Sequence, residues 1–293
     1  MFVIFGASGK VGRITAEVLR EDGHRVRAVI RGNRHAEALT RIGCEIVLAD
    51  LTDLASVTRA IDGAQAVQIL CPLPIGEPRL DHAMRAMIDI AVQALSANPP
   101  PRVLALSDYG AERESGTGIT MLFHYLEMQL RRVPTSLTLL RAAEHMQNWA
   151  RVVTLASATG VLPSFHHPLT KRFPTVAAQD VGRLAAELLL DETHPGGPRV
   201  VSIEGPQRVS ALDVARTLSA LSGREIVAHA VPRAGWIATL VGAGLGADHA
   251  QLIADLYDAH NAGCIDVEAR VSEQRLGTSD LRDVFASRAQ NPQ

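Results

Sequence analysis

Short apolar runs alternate with amphipathic stretches from the first residue of the chain. Residues 1–5, Met-Phe-Val-Ile-Phe, are continuously apolar, as expected for a strand buried on both faces. Residues 11–19 then place Val11, Ile14, Ala16, Val18 and Leu19 at helical spacing, and Asp22-Gly23 ends the helix. The alternation continues, with strands predicted over 25–30, 45–49, 64–70, 102–107 and 136–141 and helices over 54–61, 80–95 and 120–132. Strands joined by helices of this length run parallel, and the helices cover both faces of the sheet. The predicted fold class is therefore α/β, a doubly wound parallel Rossmann sheet.

Beyond residue 142 the pattern changes. Residues 144–153 read as helical, 157–175 are rich in turn residues and histidine, 180–190 form a further helix, and 199–203 make a last sheet strand. The segments 211–221, 226–231, 235–245, 249–261 and 280–286 are short and mixed. They are expected to form a smaller lobe over the carboxyl ends of the strands, where doubly wound folds bind ligands. Residues 1–142 thus read as a dinucleotide-binding domain and 143–293 mainly as a substrate-binding lobe, with 178–204 returning to the sheet.

The turn after the first strand reads Gly6-Ala7-Ser8-Gly9-Lys10-Val11-Gly12. Glycines at three-residue spacing between a strand and a helix let the backbone approach a pyrophosphate, and the helix start aims free N–H groups and a positive dipole end at it. Gly6, Ser8, Gly9, Lys10, Val11 and Gly12 are the candidate phosphate-binding residues. At the end of the second strand, NAD-selective folds place an acidic residue on the ribose hydroxyls. Here the chain offers Arg31, with Arg34 three residues on. A guanidinium grips a 2′-phosphate in a fork worth roughly 1.5–3 kcal/mol, so NADP (NADPH) is the expected cofactor.

Composition narrows the remaining choices. A length of 293 residues is ample for a core without metal or disulfides, and the formal charge of −2 comes from interspersed acids and bases, with no basic groove for nucleic acid. No apolar run approaches the ~20 residues of a membrane span. The first strand starts at once, leaving no signal peptide, and Cys44, Cys71 and Cys264 lack ligand spacing. A cytoplasmic protein acting on a small molecule is expected, with no nucleic-acid or membrane partner. A homodimer is one expected assembly, residues 236–245 being a packing or subunit contact.

Together the motifs resemble the NmrA-like, atypical branch of the short-chain dehydrogenase/reductases, which holds bacterial NADPH quinone oxidoreductases and triphenylmethane reductase. The resemblance spans nearly the whole chain. It rests on the three glycines, Arg31, Ala49-Asp50-Leu51, Ser107, His124 with Glu127, Leu140-Arg141 through Asn148, Phe173-Pro-Thr-Val176 before Asp180-Val-Gly, and Glu204-Gly205-Pro206 before Ser210. It implies that Asp50 and Leu51 border the adenine and that Leu70, Cys71 and Pro72 follow the ribose and pyrophosphate. It also implies that Ser107, Asp108 and Tyr109 lie by the nicotinamide, and that Met146, Trp149, Phe165 and His166 wall a substrate pocket.

The chemistry departs from the standard members of that superfamily, which pair a tyrosine acid with a lysine four residues on. The three tyrosines, Tyr109, Tyr125 and Tyr257, have Arg113, Gln129 and Asn261 at that offset, and Lys10 and Lys171 are the only lysines. Two readings follow. One is hydride transfer from NADPH to a small aromatic or conjugated, quinone-like acceptor, with His124 as the preferred proton donor and Tyr109 and Tyr125 next. The other is a non-catalytic NADP(H)-sensing regulator. The adjacent pair His166-His167 has no third ligand in register, so no metal site is expected.

Overall fold

The computed structural model describes residues 1–192 and 197–290. In chain order, β1 (Phe2–Phe5) leads to α1 (Lys10–Glu21), β2 (Val26–Ile30) to α2 (Ala36–Arg41), β3 (Glu45–Leu48) to α3 (Leu54–Ile61), β4 (Ala66–Ile69) to α4 (Leu80–Ala97), and β5 (Arg102–Asp108) to α5 (Met121–Leu130). Then follow β6 (Ser136–Ala142), β7 (Glu144–His145), α6 (Ala150–Thr159), β8 (Val161–Ser164), β9 (Thr175–Val176), α7 (Ala178–Leu190) and β10 (Arg199–Glu204). The chain closes with α8 (Ala211–Ser222), β11 (Val227–Ala230), α9 (Trp236–Gly242), α10 (Ala247–Ala262), β12 (Glu273–Leu276) and α11 (Leu281–Gln290).

Eight strands form one parallel sheet in the order β12-β10-β6-β5-β4-β1-β2-β3. The two-residue side-chain period splits the strands other than the edge strand β12 between two cores. Phe2, Ile4, Leu104 and Leu106 face a core closed by Val11 and Leu19 of α1 and Val181 and Leu184 of α7. Val3, Phe5, Val103 and Ala105 face the opposite core, closed by Val57 of α3, Met84 and Ile88 of α4, and Leu122 and Leu126 of α5. The direction of winding reverses between β1 and β4, which opens a crevice at their carboxyl ends.

The smaller lobe packs around its own apolar cluster. Trp149, Leu162, Phe173, Leu218, Ile226 and Phe285 form its centre, and β8 and β11 pair in parallel at its edge. A second cluster centres on Trp236 and Leu240 of α9.

Two elements differ from the sequence expectation. The sheet gains β12 beyond β10, held in part by Arg199 Nη2 donating to Glu273 Oε2 at 2.8 Å. Its residues, Glu-Gln-Arg-Leu, are those of a solvated edge strand and carry no apolar run to read. The helix expected over 144–153 begins only at Ala150, because Glu144 and His145 pair with Thr175 and Val176 instead. That pairing joins segments thirty residues apart, which helical spacing alone does not reveal.

Candidate active site

The glycine turn closes tightly at the crevice. Gly6 adopts φ +72°, and a Cβ there would lie 2.8 Å from Leu70 Cδ2. A Cβ on Gly12 would lie 2.4 Å from Gly6 O, so only glycine lets the helix start against the loop. Gly9 caps α1 with extended backbone and no side-chain bond, and no acidic residue occupies the first turn. The first-turn N–H groups therefore have no competing carboxylate, and Ser8, Gly9 and Lys10 are exposed beside them. This is a cradle that a phosphate fits and a side chain would fill.

The other candidate cofactor residues gather at the same end of the sheet. Arg31 is exposed directly after β2. Arg34 lies in the following single turn, its side chain outside the described residues. Asp50 ends the segment after β3, and its Oδ1 accepts from Thr52 N at 2.9 Å and Thr52 Oγ1 at 2.8 Å. Those bonds, aided by the Arg31 charge, hold its carboxyl below the ordinary value against a smaller effect of burial. Leu51 is buried in the core on the α3 side. After β4, Leu70 and Pro72 are half-buried, and burial pushes the Cys71 thiol up to about 12, which leaves it unreactive.

Beside this crevice, beyond the ends of β5 and β6, lies a cavity of about 270 Å³. Leu73, Ile119, Phe123, Leu256 and Ile265 form its apolar side; Asp108, Glu144, His145, Asn148 and His260 form its polar side. Burial, then the neighbouring Glu127 and Glu144 charges, raise the Asp108 carboxyl to about 7. Burial and Lys10 push His145 down to about 4, while burial outweighs the attraction of Glu144 to bring His260 to about 4. Both imidazoles are neutral at pH 7. Nδ1 of His260 is buried without a hydrogen-bond partner among the described residues. Burial alone would raise Glu144, but His166 Nε2 at 3.1 Å and the Tyr257 hydroxyl at 3.4 Å hold it below its ordinary value.

Residues expected to carry chemistry are placed differently. His124 Nδ1 donates to Ala111 O at 2.8 Å, and its neighbour Phe123 takes the cavity-facing position on α5. Tyr125 donates to Asp89 Oδ1 at 2.7 Å beneath the Arg85 guanidinium, on the face toward α4 and away from the cavity. Tyr109 does line the cavity, yet its hydroxyl is directed to Glu204 at 3.5 Å. Burial and the Glu204 carboxylate keep that phenol protonated, far above its ordinary pKa.

Ser107 is tied down as well, donating to Glu127 Oε1 at 2.7 Å. Glu127 in turn holds Arg141 in a buried fork at 2.8 and 2.7 Å, and Arg141 reaches Glu268 at 2.5 Å and Glu112 at 3.4 Å. Asp108, expected beside the nicotinamide, lines the cavity, whereas the expected pocket residues Met146, Trp149, Phe165 and His166 do not. Met146 is buried against Gly205, while Trp149, Phe165 and His166 form an aromatic layer behind Glu144 with Phe173, Tyr257 and Trp236. Glu144, His145 and His260 were missed because β7 and α10 bring them in from distant chain positions. One signal was available: Arg141, Glu144 and His145 are ionisable residues in and just after an apolar run.

Strand order, glycine cradle and crevice define a Rossmann-type α/β protein. The model of the NmrA-like family matches residues 1–282, and the chain belongs to that family. It is 22% identical over 277 residues to an NAD(P)H azoreductase of Xenophilus azovorans, covering 93% of each chain. It superposes with a TM-score of 0.82 on the NADPH complex of an Escherichia coli NADPH-dependent quinone oxidoreductase, at 20% identity and covering 98% of this chain and 99% of that one. Triphenylmethane reductase of Citrobacter sp., complexed with NADP(H), gives a TM-score of 0.81 at 18% identity, with coverage of 98% and 99%.

Proposed function

We propose that this chain is an NADPH-dependent reductase of small conjugated acceptors of the quinone type. The observation that carries the reading is the adjacency of two sites at one end of one sheet: the glycine cradle with Arg31 beyond it, and the half-apolar, half-polar cavity past β5. The similar proteins named as azoreductase, quinone oxidoreductase and triphenylmethane reductase support it. Bound NADPH supplies a hydride.

The chain's own residues do the rest. The first-turn N–H groups of α1 take the phosphates, and Arg31 selects for the 2′-phosphate. Apolar side chains from Leu73 to Ile265 exclude water and hold a flat acceptor, while His260 Nδ1 offers it a buried polar contact. Orientation of two reactants in this manner is worth up to ~7–11 kcal/mol, enough to work without a Tyr–Lys relay. The test is NADPH oxidation followed at the nicotinamide absorbance with a panel of quinones. Steady protein-dependent oxidation is expected. Tight NADPH binding with no turnover across the panel overturns the reading in favour of an NADP(H)-sensing regulator.

A further inference from the structure

A quinone needs a proton as well as a hydride, and most side chains first suited to give one are committed elsewhere. His124 is bonded to Ala111 O, Tyr125 to Asp89, Tyr109 to Glu204 and Ser107 to Glu127. Asp108 differs. It sits at the carboxyl end of β5, half-buried in the cavity wall, and among the described residues no hydrogen bond is donated to its carboxyl oxygens. It faces the apolar walls that would hold an acceptor, and it is the sheet residue next to the tied-down Ser107.

We propose that Asp108 is the acid that protonates the acceptor's oxygen as hydride arrives, doing the work of the missing Tyr–Lys pair. The proposal rests on the reductase reading and adds to it the source of the proton. A reduced nicotinamide dinucleotide gives up a hydride and is oxidised; the quinone accepts the electron pair and becomes a hydroquinone oxyanion. The Asp108 O–H bond breaks and an O–H bond forms on that oxyanion. The Asp108 carboxylate then regains its proton from water through the cavity mouth.

The charges around Asp108 keep the acid form available. Glu144 and His145 of β7, His249 and His260 of α10, Tyr109 beside it, and Glu127 of α5 held by Arg141 of β6 are the titratable groups that face it. His145 and His260 are pushed down to about 4 and stay neutral, Tyr109 is a neutral phenol, and Arg141 is shared among three carboxylates. Burial first, and then the Glu127 and Glu144 carboxylates, hold the Asp108 proton up to about pH 7.

Two acceptors separate this role from mere positioning. 1,4-Benzoquinone takes hydride and proton; a triarylmethane dye cation such as malachite green takes hydride alone and becomes neutral. In Asp108→Asn the ratio of quinone to dye turnover should fall about 100-fold, the lower end of what a positioned acid contributes. In the unaltered protein the same ratio should fall as pH rises through about 7. Infrared difference spectra of the free chain should show a protonated carboxyl at pH 6 that is missing from the variant. An unchanged ratio in the variant, a ratio flat with pH, or the same infrared band in both proteins overturns the assignment. Loss of neither acceptor's selectivity is thus distinct from failure of the reductase reading, in which the unaltered protein reduces neither acceptor and both inferences fall.

Discussion

Glu127→Gln tests the buried network beside the cavity. Glu127 and Arg141 are both buried, and the variant keeps the shape but turns one arm of the fork into an amide N–H₂ facing guanidinium N–H groups. Removing one partner of a buried ion pair costs about 3–5 kcal/mol. Arg141 keeps Glu268 at 2.5 Å and Glu112 at 3.4 Å, so the low end applies, about 3 kcal/mol. With an unfolding entropy of about 2.1 cal/mol/K per residue, or roughly 0.6 kcal/mol/K for 293 residues, Tm should drop by about 5 °C. Urea unfolding should show the same loss without a change in slope. The variant has a second expected effect. Glu127 helps raise the Asp108 carboxyl, and removing its charge while leaving Arg141 lowers that group, so the fall of quinone turnover with pH should move to lower pH. A stability loss under about 1 kcal/mol would show that the remaining carboxylates carry Arg141 by themselves. An unmoved pH profile would show that Glu127 does not act on Asp108.

Three further outcomes are expected. Arg31→Glu should weaken NADPH binding about tenfold or more, from loss of a charge-assisted bond of ~1.5–3 kcal/mol, and leave NADH within about twofold by fluorescence titration; equal losses refute the 2′-phosphate role. Gly12→Ala places a methyl 2.4 Å from Gly6 O, and should cost about 1–3 kcal/mol of stability and abolish detectable NADPH binding, whereas intact binding would mean the loop yields. His124→Ala removes a bond to Ala111 O and should cost about 1 kcal/mol while quinone turnover stays within threefold; a large drop in turnover at unchanged NADPH affinity restores it as the proton donor.

The glycine turn, the helix after it and Arg31 are contiguous in the chain, and their physics is local. An apolar run of five residues, glycines at three-residue spacing and a helical pattern directly after them are legible one residue at a time. The parallel order of the strands follows almost as directly, since helical crossovers permit little else. That is why the glycine turn and the arginine after β2 were readable. Helix rotation is also local in origin, yet which of Phe123, His124 and Tyr125 meets the cavity depends on how α5 docks on β5 and α4, and there sequence preference for His124 met a backbone carbonyl instead.

The sequence by itself therefore determined seven of the eight strands of the parallel sheet, the glycine turn and the place of Arg31 after β2. Tertiary structure decided the cavity. It brought Asp108 of β5 together with Glu144 of β7 and His260 of α10, more than 150 positions apart at the extreme, and it took them largely out of solvent. Burial and mutual charge, neither of which is a property of any local segment, then moved Asp108 up to about 7 and His260 down to about 4.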